Sequence, residues 1–337
     1  MKKFSLFLLS AALMATFAVP AWSLELKIAT VAPEGSSWML EMRKGAAEIK
    51  ERSQGRVSIK FYGGGVMGNE KSVLRKIRIG QLHGGAFTGG GLAEAYPDIQ
   101  LYSLLLNFRG LDEIDYVRRR MDPILREGLE KAGFVSFGLA EGGFAQMIGN
   151  VPVRSLEEMK GKKFWIPEGD LISYAVAEAL GLSPVTLPIT DVMTGLQTGL
   201  LDVVAGSPIG AIAFQWHTKL RYLTSTPVAY VFATMAIDKK IFQRLSAEDQ
   251  GLVREVMERI YLQFDQQNRP DNESALQALI TQGIEIVNPA PAEETRWRDI
   301  AAKVNDRLGR EGRITPALYN QMQDDLNRFR QGSAAEK

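Results

Sequence analysis

The chain of 337 residues contains no cysteine. Disulfides, thiolate metal sites and cysteine nucleophiles are thereby excluded. Histidine is nearly as scarce. His83 and His217 are the only two, far apart and without the paired spacing of a zinc site. Neither sign of charge dominates, with 40 Lys and Arg against 39 Asp and Glu. That balance argues against nucleic acid and against an acidic membrane surface as partners. Past the first residues, no apolar run approaches the roughly 20 residues that span a bilayer. Low-complexity tracts and internal repeats are also missing.

Catalytic motifs are missing too. Gly89-Gly90-Gly91 lacks the Lys-Ser/Thr of a phosphate loop, and close approach of backbone is its expected role. Ser36, Ser37 and Ser207 lie outside any nucleophile elbow, and no Ser-His-acid set stands out. With no acid–base pair and no metal cluster evident, neither a cofactor nor an enzymatic activity is expected.

What is present begins with an export signal. In MKKFSLFLLSAALMATFAVPAWS, Lys2 and Lys3 precede a short apolar run, and Ala21-Trp22-Ser23 offers cleavage after about Ser23. An uncleaved anchor is the alternative reading; with no cysteine after the run, a lipid anchor is disfavoured. The mature chain is expected in the periplasm. Its length favours two lobes over one enlarged core.

Strand and helix patterns alternate along the rest. Leu24–Ala29 reads as a strand. Ser36 and Ser37 are candidate caps for a helix whose apolar residues Met39, Met42, Ala46 and Ile49 share one face. Val57–Phe61 is a strand, and Asn69 opens a helix that stops at Gly80. Helices are expected over Leu111–Met121, again from Asp122-Pro123 to Gly133, and over Asp170–Leu180 and Thr190–Thr198. Strands are expected at Phe134–Leu139, Leu201–Val204, Pro227–Ile237 and Glu285–Val287. Ser246–Gly283 is largely helical, with Pro270 expected to kink or divide it, and Ala292–Leu308 and Thr315–Arg330 are the last helices. The order implies an α/β fold with a mainly parallel sheet covered by helices. Ligands of such sheets sit beyond the strands' C-terminal ends, but a two-domain enzyme would show the same pattern.

Five blocks narrow the choice: Leu26–Trp38 (LKIATVAPEGSSW), Val66–Gly80 (VMGNEKSVLRKIRIG), Ser155–Pro167 (SLEEMKGKKFWIP), Thr190–Asp202 (TDVMTGLQTGLLD) and Leu245–Glu255. In this order and spacing, the chain resembles the solute receptors of tripartite ATP-independent periplasmic (TRAP) transporters. The resemblance implies a two-lobed periplasmic solute-binding fold with a long helix linking both lobes. One lobe would hold about 24–142 and 229–272, the other about 143–228 and 273–330, with 331–337 a loose tail. It also implies a small-molecule ligand, no chemistry, and delivery to membrane permease subunits. A tetratricopeptide-repeat periplasmic protein is a further candidate partner, and service as a sensor co-receptor stays open.

The resemblance also marks where this chain departs from its relatives. Their principal carboxylate-binding arginine falls on Trp165, and a second arginine on Ala145. A polar turn becomes Asp202-Val203-Val204-Ala205-Gly206-Ser207, so its amide falls on Gly206. A further acidic position falls on Thr88, after Phe87. Together with Trp38, Met147, Ile189, Ser207 and Trp216, these are the expected ligand-binding residues. Charge-assisted hydrogen bonds contribute about 1.5–3 kcal/mol each. Losing two arginines and an amide while gaining Trp, Ala and Gly points to a dry cleft and a hydrophobic or aromatic ligand. Several of these side chains also have an ordinary packing role open to them: Trp165 within its own lobe, Trp38 at a helix start, and Phe87, Met147 and Trp216 in the core. The competing reading is an organic-acid receptor with a substitute cation. Arg75 and Arg78 lie on a solvated helix face, so Arg109, in a loop, is the stronger candidate.

Overall fold

The computed structural model describes residues 23–335, and the expected leader lies outside them. Ten strands form one sheet: β1 Leu24–Ala29, β2 Val57–Tyr62, β3 Gly84–Thr88, β4 Phe134–Ser136, β5 Ala140–Gly149, β6 Lys163–Pro167, β7 Ser183–Leu187, β8 Val203–Gly206, β9 Tyr222–Asp238 and β10 Glu285–Val287. Around them lie α1 Ser37–Arg52, α2 Glu70–Arg78, α3 Gly89–Leu92, α4 Leu111–Lys131, α5 Leu156–Met159 and α6 Leu171–Ala179. Then follow α7 Val192–Gln197, α8 Pro208–Ala213, α9 Lys239–Phe242, α10 Ala247–Thr281, α11 Pro291–Arg310 and α12 Pro316–Ala335.

The sheet runs β2-β1-β3-β9-β5-β8-β6-β7. It is parallel at both ends, where β1 pairs with β2 and β3, and β6 with β7 and β8. The middle corrects the mainly parallel expectation: β9 pairs antiparallel with β3, β4 and β5, and β5 antiparallel with β8. The early part of β9 pairs with the end of β5, and its late part with β3, so one 17-residue strand serves both halves of the molecule. The fold is α/β and two-lobed.

Local chemistry explains most elements. In α1 the buried residues are Met39, Met42, Gly45, Ala46 and Ile49, and Ser36 caps the helix by accepting from Met39 N. β3 was invisible in sequence because Gly-Gly reads as loop. A Cβ at Gly84 would stand 2.6 Å from Ala236 O, so the strand fits between β1 and β9 only because it is bare there. The expected break at Asp122-Pro123 does not occur. α4 is continuous, because Ile114, Val117, Met121, Leu125 and Leu129 are all buried in the core along one face. That packing outweighs the roughly 3 kcal/mol cost of an interior proline. Pro270 is likewise inside an unbroken α10. α12 runs through Ala335, past Arg330 and into the stretch expected to be loose.

Three apolar cores result. One joins β1, β2 and α1 to the first part of α10 through residues such as Ile28, Met42 and Ile260. Another gathers Trp165, Val192, Leu201, Trp216 and Leu279. The largest spans both halves, from Leu82 and Leu125 to Val176 and Trp297.

Candidate functional site

The strands' C-terminal ends open onto a cavity of about 1150 Å³, larger than the roughly 300–1,000 Å³ usual for small-molecule sites. The loop after β1, the end of β3 and α3 line it from one half; the ends of β6 and β8 with α6 and α8 line it from the other. The middles of β5 and β9 run between.

The halves are closed on each other. Asn69 Nδ2 donates to Glu168 Oε2 at 2.6 Å. A Cβ at Gly90 would meet Asp170 Cβ at 3.6 Å, and one at Gly65 would stand 2.8 Å from Thr190 Cγ2. Gly65 follows β2 and Thr190 follows β7, the two ends of the strand order. The sheet therefore bends round the cavity until its outermost loops touch.

All the residues singled out in sequence line this cavity: Trp38, Phe87, Thr88, Ala145, Met147, Trp165, Ile189, Gly206, Ser207 and Trp216. Most are packed as well as placed. Trp165 is 5% exposed, donates its indole N–H to Leu187 O at 2.9 Å, and meets Trp216 edge-on at 5.3 Å. It is both a core residue and a piece of cavity wall. Trp216 stacks on Phe214, and a Cβ at Gly206 would lie 2.9 Å from its ring, so glycine there makes room for the indole. Trp38 stacks on Phe264 and meets Phe61 edge-on, anchoring the cavity mouth to the first core. Phe87 is 1% exposed and Met147 is buried, so both belong mainly to the core. Ala145 and Met147 share a face of β5. Ser207 caps α8 by accepting from Gly210 N.

At Thr88 an acid is supplied from elsewhere. Glu70, in the first turn of α2, accepts from Thr88 N at 2.5 Å and from Thr88 Oγ1 at 3.0 Å. Asp170 accepts from Ser173 N and Ser173 Oγ as the cap of α6. Both acids line the cavity, both stay half-buried because part of each faces it, and neither has an ion-pair partner among the described residues. Burial pushes the pKa of each above the ordinary carboxylate range, and the Thr88 and Ser173 hydrogen bonds pull the other way. Sequence reading missed both, because an acid in a first helical turn and an Asp at a cap each have an ordinary helix-start explanation.

Of the other acids at the wall, Glu34 pairs with Arg43, Glu94 pairs with Arg78, Glu168 accepts from Asn69 without an ion pair among the described residues, and Glu141 is compensated. Glu141 is 1% exposed and pairs with Arg269 at 2.9 Å, with Tyr230 OH donating at 3.1 Å. Lys71 and Arg313 are the only Lys or Arg among the described lining residues, and both are solvent-exposed. Arg75, Arg78 and Arg109 are exposed and lie outside the lining. Among the described residues no cluster of His, Cys, Asp and Glu could hold a metal ion, and no helix is long and apolar enough to cross a membrane.

Known proteins share this architecture. A family model described as bacterial extracellular solute-binding protein, family 7, matches residues 28–311. The C4-dicarboxylate-binding periplasmic protein DctP of Rhodobacter capsulatus is 22% identical over 275 residues, covering 79% of this chain and 81% of that protein. Among solved structures, a TRAP periplasmic solute-binding protein from Xanthobacter autotrophicus with bound β-D-galacturonate superposes with a TM-score of 0.82 at 19% identity, covering 90% of this chain and 99% of that one. One from Shewanella oneidensis with bound succinate gives 0.83 at 17% identity, with coverage of 90% and 99%. The chain belongs to the bacterial extracellular solute-binding proteins of family 7, the TRAP-type receptors that capture small molecules and work with membrane permease subunits.

Proposed function

We propose that this receptor takes a largely apolar or aromatic solute into its cleft and delivers it to a TRAP permease. One observation carries the reading: among the described lining residues, the cavity interior holds aromatic and aliphatic side chains but no cation, since Lys71 and Arg313 are both exposed. A carboxylate enclosed there without a cation would lose several kcal/mol to desolvation. Burying an aromatic body of roughly 200 Å² contributes several kcal/mol in its favour at about 25 cal/mol per Å². Trp165 stands where the resemblance puts an arginine, and its hydrogen bond to Leu187 O holds the ring in the wall.

The second reading, an organic-acid receptor, is favoured by the acid ligands named for the relatives. It lacks its cation, because Arg109 is exposed and outside the lining. The proposal extends to the lobes, about 24–142 with 229–272 and about 143–228 with 273–330, to export with cleavage after about Ser23, and to a tetratricopeptide-repeat protein as a periplasmic partner. Native mass spectrometry of the purified receptor, with extraction of whatever it retains, tests the ligand. A hydrophobic molecule supports the proposal. A dicarboxylate or sugar acid bound tightly defeats it, and its loss in Arg109→Ala would identify the substitute cation.

A further inference from the structure

The cavity does not end at the cleft. Its wall continues into a side arm bounded by α6 and α11, which pack on each other, and by the segment that leads into α4. Val176, Ala177 and Leu180 share the inward face of α6, while Tyr174 and Glu178 on its other face are exposed. Trp297 and Leu308 line the arm from one face of α11, about three turns apart, which is roughly 16 Å. Leu105 and Pro97 close it from the other half. Val176 is 0% and Trp297 1% exposed, so the arm is narrow where it passes them. Leu180 and Leu182 are half-buried, and Gly312 and Arg313, in the turn after α11, are wall residues exposed at the surface. Apart from Arg313, the wall groups named for this arm carry no charge.

We infer that the solute is a long-chain amphiphile, a single hydrocarbon chain with an uncharged polar head, and that the head sits in the cleft while the chain enters this arm. The inference rests on the reading that the cleft takes an apolar solute, and it names the class. The cavity of about 1150 Å³ is larger than a compact ligand needs, and the excess lies in a recess with apolar walls. A narrow passage between packed helices admits a flexible chain and excludes a fused ring. An apolar recess stays dry, so each methylene that enters it raises affinity by about fourfold. The hydrogen-bonding groups that could meet a head, among them Asn69, Thr88 and Ser207, stand at the cleft instead. The head is uncharged because no cation among the described residues reaches the cavity interior.

Calorimetry on the mature full-length receptor tests this with octanol, decanol and dodecanol, and with 2-naphthol as a compact ring that fits the cleft alone. Affinity is expected to rise about tenfold with each added pair of methylenes. Leu180→Trp fills the arm from a half-buried wall position. It is expected to weaken dodecanol by about tenfold and to leave 2-naphthol within about threefold. Dodecanol with a terminal bromine reports the position of the chain in the unaltered receptor. It should quench the emission of Trp297, and that quenched component should be missing in Trp297→Phe. No rise from octanol to dodecanol overturns the inference. So does quenching that is unchanged in Trp297→Phe, which puts the chain in the cleft beside Trp165 and Trp216. Equal loss of dodecanol and 2-naphthol in Leu180→Trp overturns it as well. In each of these cases, binding of 2-naphthol by the unaltered receptor leaves the apolar cleft standing. If neither 2-naphthol nor any of the alcohols binds, both readings fall.

Discussion

Trp165 shows how one side chain can serve packing and recognition together. Its ring belongs to the core of Val192, Leu196 and Trp216, and its outer surface faces the cavity. Trp165→Ala is expected to cost about 3–5 kcal/mol of stability, measured by urea unfolding, because it empties a filled core site. A loss below about 1 kcal/mol would mean the ring is mainly wall and little core. Glu70 gives the opposite sign. Burial raises its pKa above 4.5, against the two Thr88 hydrogen bonds. Between 4.5 and that raised value the folded state keeps a proton the unfolded chain has released, so stability falls as pH rises through the window. Above the raised value the full cost is present. Glu70→Gln is therefore expected to raise the thermal midpoint at about pH 7.5 and to leave it unchanged below about pH 4; an equal change at both values would contradict the assigned cause.

At the scale of elements, α10 and β5 carry the connection between the halves. At roughly 1.5 Å per residue, the 35-residue α10 spans about 50 Å. β5 changes register around Gly142 and Gly143, and Gly143 adopts φ +83°, which favours glycine. A polar row on α10 holds that irregularity. Asp265 accepts from Glu141 N, Asn268 donates to Glu141 O, Arg269 pairs with Glu141, and Asn272 donates to Gly142 O. Asn272 also accepts from Ile209 N of α8. Arg269→Ala would leave the carboxylate of Glu141 buried without its best cation. The expected loss is about 3–5 kcal/mol in denaturant unfolding, with Glu141→Gln in the same background restoring part of it; no restoration would place the damage elsewhere. Asp115, the other partner of Arg269, is held below the ordinary aspartate range by that guanidinium. Its stabilising share is present above pH 3.8 and is lost as pH falls through its lowered value. Asp115→Asn is expected to flatten that acid limb of the stability curve.

For the molecule as a whole, closure depends on loops from opposite ends of the sheet. Asn69 with Glu168, Gly65 with Thr190 and Gly90 with Asp170 meet only when the lobes come together. Hinge motion of this kind is how two-lobed receptors enclose a ligand. Gly65→Ala places a methyl 2.8 Å from Thr190 Cγ2, an overpacking cost of about 1–3 kcal/mol felt in the closed state. Ligand affinity is expected to fall about tenfold, and small-angle scattering should show the liganded variant less compact than the wild type. Unchanged compactness would show that this contact does not limit closure.

Much of this was legible beforehand because the signals are local. The 3.6-residue spacing in α1, the helix starts at Ser36, Asn69, Asp170 and Ser246, and the stops at Gly80 and Gly283 depend on neighbours in the chain. The ten expected site residues line one cavity because strand ends and the turns after them were recognisable as such. What stayed hidden was set by partners distant in sequence. Gly84 and Gly85 became strand only between β1 and β9, and Pro123 stayed inside α4 only because its neighbours pack on a core drawn from both halves. The electrostatic character of the cleft was hidden for the same reason. Glu141 and Arg269 lie 128 residues apart and cancel, while Glu70 and Asp170 meet no cation. The sequence by itself determined the elements, the α/β class and the residues at the strand ends, since those follow from short-range geometry. Which charges are neutralised, and so what the enclosed space will accept, was decided only when folding chose each side chain's partners.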